Sequence, residues 1–90
     1  MIYNYYALFE FDEEDPGYCV TFPDFGYIFT FGNNLEEALF NANEALELAL
    51  LTGEDDNEVF PHESSYEELS KDLNKNQTLH LITVDTDAIR

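Results

Sequence analysis

Basic residues are nearly absent from this chain. Three Lys and Arg stand against twenty Asp and Glu in ninety residues, a formal net charge of −17. Affinity for nucleic acid depends on cations that neutralise phosphates, so this balance argues against direct DNA or RNA binding and favours a basic protein partner. Cysteine is as scarce. Cys19 stands alone, which excludes an intrachain disulfide framework and a Cys-rich zinc site and fits a reducing compartment. A long hydrophobic run is missing too, because the richest stretch, near Leu46, is interrupted by Glu44 and Glu47 and falls short of the roughly 18 consecutive apolar residues of a membrane span. The opening Met1-Ile2-Tyr3-Asn4-Tyr5-Tyr6 has neither the basic region nor the apolar core of a secretory signal. The cytoplasm is the expected compartment.

What the chain does have is apolar mass. Eight Phe, six Tyr and abundant Leu bring the hydrophobic fraction to 44%, more burial than a disordered acidic chain offers. Ninety residues exceed the roughly 70 to 80 below which a core needs disulfides or a metal, and they suit one small domain spanning 1–90.

Three aromatic and β-branched runs come first. Ile2 to Phe11 is cut by Asp12-Glu13-Glu14-Asp15-Pro16-Gly17; Tyr18 to Pro23 is followed by Asp24-Phe25-Gly26; Tyr27 to Phe31 stops at Gly32. Short connections between them predict an antiparallel meander. The period then changes. Leu35, Ala38, Leu39, Ala42, Ala45, Leu46, Ala49 and Leu50 follow one helical stripe. Asn34 with Glu37 provides a near capping box, the early glutamates suit the positive helix terminus, and Gly53 is expected to end the helix near Thr52. Ser65 with Glu68 forms a second capping box ahead of a short helix to about Leu73. Thr78 to Asp85 reads as a fourth strand. The fold class is therefore α+β in the order β-β-β-α-(short α)-β, with one long helix packed on one face of the sheet and acting as the crossover that brings the last strand in parallel to a neighbour.

Phe22-Pro23-Asp24, Thr30, Gly32 and Leu35-Glu36-Glu37-Ala38 with Asn41, Ala42 and Ala45 together resemble the signature of the HicB-like antitoxin family. One departure stands out: Gly26-Tyr27-Ile28 occupies the place of the family's Pro-Gly-Cys. The resemblance implies a partial RNase H-like fold without catalytic carboxylates, which inhibits a small, basic, mRNA-cleaving toxin of the HicA type in a type II toxin-antitoxin system. Many members of the family carry a C-terminal DNA-binding domain; none is visible after the last strand, so direct nucleic acid binding by this chain is not expected.

Other chemistries are weaker. Glu10, Asp12, Asp24 and Asp85 stand near strand ends and could in principle serve a two-metal hydrolase, but an acidic chain places carboxylates in turns anyway. Asp12 to Gly17 begins like a calcium loop, yet Pro16 takes a ligand position and Pro23 stands where the bidentate Glu belongs. His62 and His80 lack neighbouring ligands for zinc. Cys19 has no adjacent cation to activate it and is expected as a buried structural thiol. Ser64 and Ser65 belong to a helix cap and not to a nucleophile elbow. No catalytic residue, metal or cofactor is expected.

Surface chemistry says more. At about 100° per residue, Phe40, Leu48 and Leu51 point away from the helical core stripe. With Glu44 and Glu47 between them they are the candidate partner-binding residues. The first strand sets Tyr3, Tyr5, Phe9 and Phe11 against Ile2, Tyr6 and Leu8, and the last sets Leu79 and Leu81 against Ile82 and Val84, so both sheet faces are apolar. One helix covers only one face. The surplus predicts a homodimer or higher homo-oligomer beside the toxin partner.

Overall fold

The computed structural model describes every residue from Met1 to Arg90. Strands β1 (Ile2–Asp12), β2 (Gly17–Phe22), β3 (Phe25–Gly32) and β4 (Gln77–Asp85) form one sheet in the spatial order β3-β2-β1-β4. A long helix α1 (Leu35–Asp55), a single turn α2 (Tyr66–Leu69) and a 3-10 turn over Ser70–Asp72 separate β3 from β4, and a last turn, α3 (Thr86–Ile89), follows. The expected element order holds. The direction of the last strand does not. β4 pairs antiparallel with β1, from Ile2 opposite Asp85 to Glu10 opposite Gln77. The helix is only half of the crossover: its 21 residues run about 30 Å at 1.5 Å per residue, ending beside Tyr3 and Thr86. The chain from Asp56 to Asn76 then travels back, and two traverses reverse the direction that one would give.

Strand alternation decides which side chains meet the helix. Tyr5, Ala7 and Phe9 of β1, Val20 and Phe22 of β2, and Ile82 and Val84 of β4 are buried against it. Phe25 and Ile28 of β3 are buried as well, although their odd separation puts them on opposite faces of a regular strand. The pairing shifts between Thr21 and Phe22, and this irregularity lets both turn inward. At the first hairpin, the Asp12 carboxylate accepts the backbone N–H groups of Glu14 at 2.9 Å and Asp15 at 3.3 Å, holding the turn closed.

Helix α1 lies on this face through Ala38, Ala42, Leu46 and Leu50, all fully buried, with Leu39, Ala45 and Ala49 packed at the sides. Leu35, at the head of the expected stripe, is instead exposed. Two alanines in the first turns allow a close approach, and Gly32 makes it closer: a Cβ there would stand 2.4 Å from the Ala38 backbone nitrogen. The Asn34 side chain caps the helix by accepting from Glu37 N at 2.8 Å, and Glu37 reaches back to Asn33 N at 3.2 Å. Gly53 does not end the helix. It is buried inside it, where a Cβ would meet the Phe60 ring at 2.4 Å. Termination falls to Asn57, which takes a left-handed φ of 57°, a conformation that asparagine tolerates better than most residues.

β2 pairs with β1 only from Leu8 to Asp12, leaving the first half of β1 bare on that side. The return segment fills the gap. Phe60 meets Tyr3 edge-on at 5.2 Å, the Tyr5 hydroxyl donates to Pro61 O at 2.7 Å, and Asn4 N donates to the Glu63 carboxylate at 2.8 Å. Ser64 then donates twice to Asp24, from N at 2.9 Å and Oγ at 2.6 Å. By Tyr66 the chain has reached the opposite face of the sheet, its ring against Tyr6 at 5.8 Å.

Candidate interaction surfaces

Phe40, Glu44, Glu47, Leu48 and Leu51 follow an i, i+4, i+7, i+8, i+11 spacing, so α1 brings all five candidates onto one stripe. Phe40 is 64% and Leu48 68% exposed. Leu51 departs from the expectation of a side chain pointing fully outward. It is half-buried, because α3 folds under the end of the helix and Arg90 donates to the Leu51 carbonyl at 3.4 Å. Leu48 has neighbours beyond the helix: with Ala45, Ala49 and Thr52 it walls a groove of about 420 Å³ whose other side is Tyr27, Ile28 and Phe29 of β3. β3 is an edge strand, and the Asn41 side chain donates to its Phe31 carbonyl at 2.8 Å.

The charge on this stripe is uncompensated. All four ion pairs lie at the chain ends, where Met1 meets Asp85 and Asp87 and Arg90 meets Glu54 and Asp55. Glu36, Glu37, Glu44 and Glu47 have no cationic partner, so the outer surface of α1 carries an acidic field around two exposed apolar side chains. Acids near apolar anchors suit a protein surface rich in Lys and Arg.

The far end of α1 is built differently. Glu54 accepts from the Tyr3 hydroxyl at 2.7 Å, from Thr86 Oγ1 at 2.8 Å and from Arg90 at 3.0 Å. The tyrosine bond first, then Thr86 and Arg90, hold its carboxyl down to about 2. Burial and the same carboxylate push the Tyr3 hydroxyl up to about 12, and burial chiefly does the same to Tyr5. Met1 O accepts from Thr86 N at 2.9 Å, and the Met1 ammonium, 2.6 Å from Asp87, has its pKa raised mainly by that hydrogen bond. This cluster clasps β1, α1 and α3 together. Nothing in its sequence spacing announces it, since Tyr3, Glu54, Thr86 and Arg90 meet only through the fold.

The four carboxylates weighed for metal chemistry are dispersed. Asp24 is bonded to Ser64, Asp12 closes its hairpin, and Asp85 accepts from Asp87 N while lying beside the Met1 ammonium. Glu10 lies opposite Gln77, at the far end of the sheet from Asp85. His80 leans on Phe9 with ring centroids 4.5 Å apart, and its Nε2 lies 3.1 Å from Thr78 Oγ1. His62 is exposed. Ser65 and Glu68 form the expected reciprocal capping box.

The face of the sheet away from α1 carries Ile2, Tyr6 and Leu8 from β1, Leu79 and Leu81 from β4, Thr21 from β2 and Phe29 and Phe31 from β3. Cys19 is exposed there, contrary to its expected burial, because Val20 takes the helix side and alternation turns its neighbour outward. Phe29 and Phe31 are exposed aromatic side chains that strand-by-strand patterning missed. Their alternation with Ile28 and Thr30 is the signal that could have found them.

A family model described as HicB_like antitoxin of bacterial toxin-antitoxin system matches residues 5–90. Among curated protein sequences nothing matches. Two solved structures are similar in fold. One, described as a toxin-antitoxin complex from Streptococcus pneumoniae, superposes with a TM-score of 0.82 at 25% identity, covering 99% of this chain and 73% of the other. The second, the N-terminal domain of Burkholderia pseudomallei antitoxin HicB, gives a TM-score of 0.78 at 25% identity over 92% of this chain and 99% of that one.

Proposed function

Since the chain belongs to the HicB-like antitoxin family of bacterial toxin-antitoxin systems, we propose that its partner is a small, basic, HicA-like mRNA-cleaving toxin, and that it acts by occlusion and not by catalysis. The antitoxin role itself follows from the family and from the two structural relatives. The observation that supports occlusion is the outer stripe of α1, where exposed Phe40 and Leu48 are flanked by unpaired Glu44 and Glu47. A toxin that grips RNA needs a cationic surface. Carboxylates on α1 occupy the places that phosphates would take, and the long-range field of a −17 chain accelerates the encounter. Charge alone is promiscuous, so apolar anchors supply selectivity and slow dissociation.

This reading places the protein in the cytoplasm, as a homodimer or higher homo-oligomer carrying no cofactor. No helix is long and apolar enough to cross a membrane. The test is to mix the purified protein with the product of the adjacent reading frame and to follow complex formation and RNA cleavage together. Cleavage should fall with the fraction of toxin bound. No complex at low salt, or cleavage undiminished by a molar excess, would end the reading.

A further inference from the structure

We propose that the open edge of β3, with the groove between it and α1, receives an extended segment of a partner protein in which apolar side chains alternate with Lys and Arg, added as a fifth strand. The ladders fix which backbone groups are free. Phe11 N donates to Asn76 O on the β4 side, so Glu10 directs its backbone groups toward β2, and its register partner Cys19 directs its own toward β1. Phe31 and Phe29, opposite Cys19 and Thr21, therefore turn their N–H and C=O groups away from β2 and out of the sheet. The Asn41 side chain marks the same direction. It donates to the Phe31 carbonyl from α1 at 2.8 Å and leaves the Phe29 groups for a neighbour. Natural sheet edges are guarded by charge, proline or a covering element. From Phe25 to Gly32, β3 contains no charged residue and no proline.

The chemistry of the occupant follows from what surrounds that edge. On the helix side, Ala45 and Ala49 leave room for an apolar side chain between Leu48 and Ile28, in the groove of about 420 Å³. Asp56 and Glu58 also line it, both exposed and outside all four ion pairs. Val59, 98% exposed, and Tyr27 carry the apolar rim on past Glu58. On the other side of the strand, the Phe29 and Phe31 rings are 61 to 62% exposed and offer faces on which Lys or Arg can stack. An added strand with a period of two meets both sides at once. A second copy does not fit. Antiparallel pairing of two β3 edges sets the Asp56 and Glu58 end of one copy against the Glu36 and Glu37 end of the other, acid against acid. Neither step needs the function proposed above.

The experiment titrates the protein at moderate salt with a capped heptapeptide of alternating Lys and Leu and reads the exchange of the Phe29 amide proton by NMR. That amide should exchange fast in the free chain and slow by about tenfold or more at saturation, as a new ladder bond forms. An isomer with the same residues gathered into a Lys block and a Leu block carries the same charge and should give no protection. F29P removes the outward N–H at an edge, where proline is tolerated, and should bind the alternating peptide roughly tenfold more weakly than F29A, which keeps that donor. Asp56→Lys with Glu58→Lys should weaken binding by roughly tenfold or more, with an unchanged circular dichroism spectrum. Binding without Phe29 protection, equal binding by the block isomer, or no binding at all overturns the proposal. So does protection that grows with protein concentration in the absence of peptide, because a second copy would then occupy the edge.

Discussion

The two faces of the sheet are made by the same strands and differ in almost every physical respect. On the helix side Tyr5, Ala7, Phe9, Val20 and Phe22 are at most 2% exposed; on the other side of the same sheet, Ile2, Phe29 and Phe31 are mostly in water. Alternation distributes apolar side chains to both sides, but one helix covers only one. The covered face therefore accounts for the fold. The exposed apolar side chains on the other face and on the outer surface of α1 are surplus to folding, the kind of surface that interaction sites are built from.

That contrast can be broken most severely from the covered side. Leu46→Ala should cost about 2–5 kcal/mol, because a fully buried side chain leaves a cavity behind it, whereas Leu81→Ala on the bare face should change monomer stability by no more than about 0.5 kcal/mol. Urea denaturation at low protein concentration checks both; similar losses would mean that the two faces are not distinct. Next comes Gly32→Ala. Its Cβ would strike the Ala38 backbone, which has no rotamer to yield, so the helix must lift from β3 at a cost of about 1–3 kcal/mol. Asn34→Ala removes the cap that accepts from Glu37 N and should cost about 1 kcal/mol, measured as a lower denaturation midpoint with the slope unchanged.

The smallest effect depends on pH. Glu54 is depressed to about 2 in the folded chain from an ordinary 4.5, so its contribution is fully present above about pH 4.5 and is lost as pH falls toward 2. Protonating the other acids relieves self-repulsion over the same range, which makes the raw stability curve ambiguous. The difference between wild type and Glu54→Gln is cleaner. Their melting temperatures should be furthest apart near neutrality and should converge toward pH 2; a constant gap would detach Glu54 from the clasp.

Much of this architecture was legible in the residues themselves. The stripe from Ala38 to Leu50 announced the helix and its buried face, and Ser65 with Glu68 announced the second cap, because both depend on local spacing alone. The resemblance around Phe22-Pro23-Asp24 and Leu35-Glu36-Glu37-Ala38 pointed to the family. What stayed hidden was non-local. The antiparallel entry of β4 depends on how far the chain travels between Asp56 and Asn76, and Gly53 looked like a helix stop because the ring it accommodates, Phe60, lies beyond the helix end. Cys19 was misjudged by counting apolar neighbours instead of strand parity. Of the candidate contact residues, Phe40 and Leu48 stand out from the surface as expected, while Leu51 is half covered by a turn, α3, that the C-terminal Thr86-Asp87-Ala88-Ile89 did not reveal.

Binding kinetics with the cognate toxin test the central claim most directly, comparing wild type, Phe40→Ala, the double reversal of Glu44 and Glu47 to Lys, and Phe31→Lys. The outer α1 face predicts that Phe40→Ala raises the off-rate by roughly tenfold or more. Charge reversal should lower the on-rate, most strongly at low salt, because exposed charges are screened over roughly 8 Å at physiological ionic strength. Phe31→Lys should leave the intrinsic rates per toxin surface unchanged. If the α1 variants bind and inhibit like the wild type while Phe31→Lys loses the toxin, the acidic helix is not the inhibitory surface and the assignment of the two faces is reversed.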